Sequence, residues 1–205
     1  ARADAWVPRL DEPIRERMED RVPQARIYRV YHAPAWRDPD LSPLRLFASV
    51  LSGSRSARLD RRLVYELDLA TSVTATVYGE EIAGQIEITA TVKDGVDPAR
   101  VEREMDLVID QLLREGPTDP ELQRARSRIL SAFARGAERL GGFGGRSDVL
   151  AESLTFAGAT TGYLDRLEQV GTASAAQVRE VSRRWIDRAH YTLVVTPFPP
   201  LTPGR

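Results

Sequence analysis

Cysteine is absent from all 205 residues, which excludes disulfides, thiolate metal ligands and a thiol nucleophile. Lysine is almost absent as well. Lys93 is the only one, and arginine carries the rest of the positive charge, a pattern of codon usage rather than chemistry. Histidine is confined to His32 and His190. They have no partners at metal-ligand spacing, neither H-E-x-x-H nor H-x-x-E-H occurs, and both read as ordinary strand-end residues. The formal net charge of −1 leaves no global pull towards nucleic acid or an anionic membrane. No apolar run approaches the roughly 20 residues that span a bilayer, and no signal-peptide pattern opens the chain. The chain starts on Ala1 rather than methionine, which suggests a processed or excised piece. A lack of cysteine is compatible with cytoplasm and periplasm alike.

What is present centres on Gly53 to Val92. Val73, Ala75 and Val77 alternate with Ser72, Thr74 and Thr76; Ile86, Ile88, Ala90 and Val92 alternate with Gln85, Glu87, Thr89 and Thr91. A period of two over this length predicts half-buried strands, one face on a core and one face wet. The short, glycine-bearing connection Tyr78 to Gly84 makes them an antiparallel hairpin. Such a hairpin is marginal alone and needs further strands or a helical layer behind it.

The rest of the chain supplies both. Residues 1–22 are charged and proline-punctuated and read as a linker. Residues 25–32 (ARIYRVYH) form a first strand. Leu44, Phe47, Ala48 and Leu51 share one face of a helix over 41–51, with Pro43 in its first turn. A short helix over 57–67 follows, with Ser56 as its cap. After the hairpin, Asp97-Pro98 opens a helix whose stripe is Val101, Met105, Val108, Ile109 and Leu112, ending at Gly116-Pro117. Thr118 and Glu121 form a capping box for a long helix to about residue 140. GGFGG at 141–145 breaks it, and shorter helices lie within 148–157 and 162–170. Thr172 or Ser174 caps another, with Val178, Val181 and Trp185 inward, and YTLVVT at 191–196 is the closing strand. The expected fold is α+β: a two-layer domain over 23–198 with a largely antiparallel sheet, helices on one face, and a tail at 199–205.

The candidate chemistry is thin. Glu80-Glu81 is a solvated turn, because an acid/base pair needs burial to separate its two pKa values. GGFGGR follows a helix rather than a strand and lacks phosphate-loop spacing, so it is a close-packed interhelical connection. Arg55, Arg58, Arg61 and Arg62, interleaved with Asp60, Glu66 and Asp68, make a solvated helix face. Ser52-Gly53-Ser54 has no nucleophile elbow and no histidine partner. The residues alone carry no complete active site.

Four segments in order do carry a resemblance. GSRSARLDRRLVYELDLATSV resembles the G-x-S-S-R-L…L-R-E-x-x-x-L-A-Y-S-V stretch of insulinase/pitrilysin-type zinc peptidases and mitochondrial processing peptidases. EGPTDPELQRARSRI is similar to that family's E-G-x-T-x-x-E-L-x-x-A-K helix start. LGGFGGRSDVLAE and VREVSRRWIDRAHYTLVVTPFP fit its later helices and last strand, so the match spans about residues 22–198.

The resemblance implies a processing-peptidase-like fold and the carboxy-terminal domain that lacks H-x-x-E-H. No catalytic residue and no metal ligand then belong to this chain, which would be inactive alone, with zinc in a partner domain of a zinc metallopeptidase. Its implied role is to pair with that zinc-bearing domain or subunit and wall the chamber for peptide substrate; no nucleic-acid partner and no membrane span are expected. The family compartment is periplasmic or cytoplasmic, with the periplasm favoured. Active members hold substrate with an arginine and a tyrosine seven residues apart. Those two positions fall on Val64 and Thr71, which are the substrate-contacting positions here but lack the guanidinium and the phenol. Arg58 and Tyr65 are also seven apart, in an alignment slipped by six residues. The alternative role is a scaffold subunit like the core proteins of respiratory complexes.

Overall fold

The computed structural model describes residues 7, 10–186 and 189–198; the proposed tail at 199–205 and most of the first nine residues lie outside them. The sheet forms around Arg26–Ala33 (β2), Ala70–Gly79 (β3), Gly84–Val92 (β4) and Tyr191–Pro197 (β5). Alternation decides which way each strand faces. Ile27, Tyr31, Val73, Val77, Ile86, Ile88, Ala90 and Val194 are buried, with Arg29 on the same face, while Tyr28, Val30, Thr74, Thr76 and Glu87 point away. Register agrees, since Ile27 stands opposite Ala90 on one side and Val194 on the other. These pairings are antiparallel.

The expected linker is corrected in part. Ile14–Asp20 is a fifth strand (β1), paired parallel to β5 with Ile14 opposite Tyr191 and Asp20 opposite Pro197. All seven of its residues are exposed. Its two apolar residues, Ile14 and Met18, are too few among five charged ones to betray it, and its partner lies at the other end of the sequence. The strand order is β1-β5-β2-β4-β3. His32 sits near the end of the central strand.

Helices Leu41–Leu51 (α1), Pro98–Glu115 (α2), Asp119–Glu138 (α3), Arg146–Ala157 (α4), Gly162–Thr172 (α5) and Ala175–Ile186 (α6) pack on one side of the sheet and on one another. α1 is the hub: ten of its eleven residues are buried, because it lies between β3 and the outer helices α3, α5 and α6. The helix ends follow the local chemistry. Asp97 accepts a hydrogen bond from the Ala99 N–H. Thr118 and Glu121 form both bonds of the capping box, and Ser174, rather than Thr172, caps α6 through the Gln177 N–H at 3.1 Å. Gly116, just past α2, takes φ +78°, a left-handed backbone that a side chain would disfavour. The short helix at 57–67 is a π-helical segment over Asp60–Glu66.

Candidate functional site

The segment from Ser52 to Thr71 leads from α1 to the hairpin. Leu59 and Leu63, four residues apart, are fully buried and pin it to the core. This turns Arg58 inward, where it is 7% exposed. Its Nε and Nη2 donate to the two carboxylate oxygens of Glu121 at 2.8 Å each, and Nη2 also donates to the Gly116 carbonyl at 3.3 Å. Glu121 accepts as well from the Thr118 N–H and hydroxyl. Burial by itself would raise the Glu121 carboxyl, yet these donors, Arg58 foremost, hold it down at about 2. The four-arginine cluster thus divides. Arg61 and Arg62 form a solvated face with Glu66 and Glu104, whereas Arg58 bolts the loop to the start of α3.

That bolt also engages the arginine of the slipped pairing. Arg58 is committed to Glu121, and Tyr65 is exposed beneath the Arg55 guanidinium, 4.7 Å from its ring centre. Of the two aligned positions, Val64 is partly buried in the π-helical segment and packs against the core. Thr71 is the extra residue of a β-bulge, where the β3–β4 register shifts between Ala70 and Ser72. A bulge redirects a side chain, and Thr71 and Ser72 are both exposed as a result. The Thr71 hydroxyl lies 3.4 Å from both the Gln24 side chain and the Thr91 carbonyl. Sequence alternation alone gave no sign of this bulge.

The residues present do not fit a zinc ion. His32 is on the open face of β2, while the His190 ring packs at 4.9 Å on Tyr31, whose side chain points to the helical face. Successive strand residues face opposite sides, so the two imidazoles are separated by the sheet. Among the described residues no group of three or more acidic or histidine side chains is placed to hold a metal.

The feature with room for a partner is the sheet face opposite the helices. Ser72, Thr74, Thr76 and Gln85 are exposed there and Glu87 and Thr89 partly so. Towards β5 and β1 the face turns apolar, with exposed Ile14 and Met18 beside partly buried Tyr28, Val30, Tyr191 and Leu193. Far from it, Phe143 in GGFGG is 99% exposed between Gly142 and Gly144, both at positive φ. No helix among the described residues is long and apolar enough to cross a membrane.

The same fold occurs in known structures. A protease from Helicobacter pylori superposes with a TM-score of 0.80 at 16% identity, over 93% of this chain and 45% of its own. The inactive peptidase domain of a zinc-protease-type protein from Bordetella parapertussis gives 0.76 at 21% identity, over 92% and 97%. Complex III2 from Candida albicans, with Inz-5 bound, gives 0.74 at 16%, over 90% and 46%. The chain spans about half the length of the Helicobacter and Candida chains. No curated protein matches it in sequence. The sequence model described as the peptidase M16 inactive domain matches residues 4–129, more than half of the chain, and the protein belongs to that family.

Proposed function

We propose that this domain is the non-catalytic half of a zinc peptidase, walling a peptide chamber and pairing with a zinc-bearing domain or subunit. The observation that carries this reading is the open sheet face. Among the described residues, the five-stranded sheet buries one face under helices and leaves the other, half hydroxyl-rich and half apolar, without a covering layer. Two-layer domains bury one sheet face; a second face that combines polar side chains with exposed Ile14 and Met18 suits extended peptide or a facing domain. In this reading Thr71 and Val64 occupy the substrate-facing positions without the donors of an arginine–tyrosine clamp.

The test is peptidase activity and zinc content of this chain alone, then mixed with a zinc-bearing half. Silence alone and chelator-sensitive cleavage in the mixture support the reading. Stoichiometric zinc and cleavage by the isolated chain overturn it. Thr71→Tyr is an informative variant because the site is exposed: it should fold normally and raise kcat/KM of the mixture if this position meets substrate.

A second reading, a scaffold without proteolytic role, is favoured by the likeness to a chain of Complex III2. An H-x-x-E-H motif in the companion domain decides for the peptidase, and its absence decides for the scaffold.

A further inference from the structure

A different feature lies where the loop after α1 meets the first half of α3. Ser49, Ser54, Ser56, Glu121, Arg124 and Arg128 line a half-open cavity of about 130 Å³ there, room for about four water molecules. Arg128 is fixed in its wall. Its Nη2 donates to the Ser49 carbonyl and hydroxyl, at 3.0 and 2.7 Å, and to the Ser52 carbonyl at 2.7 Å. The guanidinium lies against Gly53, where a Cβ would stand 2.3 Å from Nη1. All the acceptors of Arg128 are neutral, so its charge is positioned but not balanced. Arg124 precedes it by one helical turn and lines the same cavity, a spacing at which like charges repel. Neither arginine makes an ion pair among the described residues. The neighbouring carboxylates are engaged elsewhere: Glu121 holds Arg58 with both oxygens, and Asp60 accepts from the Gly53 N–H at 3.0 Å. On the loop side the Ser54 and Ser56 hydroxyls lie 3.4 Å apart. One of their protons joins the two, and the other is free to donate.

We propose that this cavity binds a phosphate group, with Arg124 and Arg128 as its charged donors and the Ser54–Ser56 pair as its neutral one. Guanidiniums are matched to phosphate oxygens in charge and in geometry. The donors come from a helix on one side and a loop on the other, which suits a tetrahedral anion better than a planar carboxylate. Glu121 does not oppose it, because its charge is already offset by Arg58. The cavity is too small for a length of peptide, and its open side leaves the remainder of a phosphomonoester in solvent.

The experiment follows the backbone amides of Gly53 to Ala57 by proton–nitrogen correlation NMR while inorganic phosphate replaces chloride at constant ionic strength. Their shifts should saturate with a Kd of about 1 mM, and acetate over the same range should leave them in place. Arg124→Glu, at an exposed position, should weaken phosphate at least about ten-fold with the rest of the spectrum unchanged. Ser54→Ala combined with Ser56→Ala should weaken it about three-fold by removing the hydroxyl donor. O-phosphoserine binding more tightly than phosphate assigns the site to a phosphomonoester; phosphate binding as tightly or better assigns it to the free anion. Shifts that stay linear to about 50 mM, an equal response to acetate, or phosphate affinity kept by Arg124→Glu would each overturn the proposal.

Discussion

At the residue scale the domain turns on the contact between Arg58 and Glu121. It ties together two segments, SARL and PTDPE, that lie 63 positions apart. Removing one partner of such a buried pair leaves the other charge uncompensated, and Glu121→Gln should cost about 3 kcal/mol at pH 7 by chemical denaturation. The pH dependence has a definite sign. A folded-state pKa held below the unfolded value stabilises at pH above the unfolded value, and that stabilisation is lost as pH falls through the folded one. Glu121, held at about 2 against an ordinary 4.5, should lose its contribution between those values, so wild type and variant converge in that window. Thr118 and Glu121 were legible in the sequence, since a capping box is a local pattern. Arg58 was not, because four interleaved arginines look alike until burial of Leu59 and Leu63 selects which one turns inward. Thr71 was hidden for a similar reason, since the bulge that exposes it is a property of the pairing with β4.

At the element scale, alternation and capping located four of the five strands and the ends of most helices. β1 escaped because its sequence IRERMED is mostly charged, with only Ile14 and Met18 apolar, and its place comes from pairing with β5, more than 170 residues away. Charge on an exposed edge strand discourages pairing with other chains but also leaves little to hold it. Its amides should exchange with solvent well before those of β2 and β4, measurable by hydrogen exchange. The opposite extreme is the turn into β4. A Cβ on Gly84 would come within 2.3 Å of the Tyr78 carbonyl oxygen and 2.7 Å of that of Pro34. Both are backbone atoms that cannot swing aside, so Gly84→Ala should destabilise by about 3 kcal/mol, read from the denaturation midpoint. The extent of α1 burial was also beyond the sequence. Its apolar stripe predicts one buried face, whereas the other side is enclosed by outer helices that pack on it from distant parts of the chain.

At the scale of the whole molecule, asymmetry matters most: among the described residues one sheet face is covered and the other is open. A zinc-bearing partner bound as proposed should slow exchange on open-face strands, around Tyr28, Thr74 and Glu87, and leave α3 and α4 unchanged. Protection confined to the helices would reject that orientation. The parallel pairing of β1 with β5 has a mechanical consequence. Traction applied at Ile14 pulls β1 back along its own axis, and traction applied at Pro197 pulls β5 forward along the same axis. The evenly spaced bonds of the parallel ladder are then loaded in shear, all at once, over seven register pairs. Tethered at those two points, the domain should resist stretching as a single unit and yield in one abrupt event, rather than unzip strand by strand.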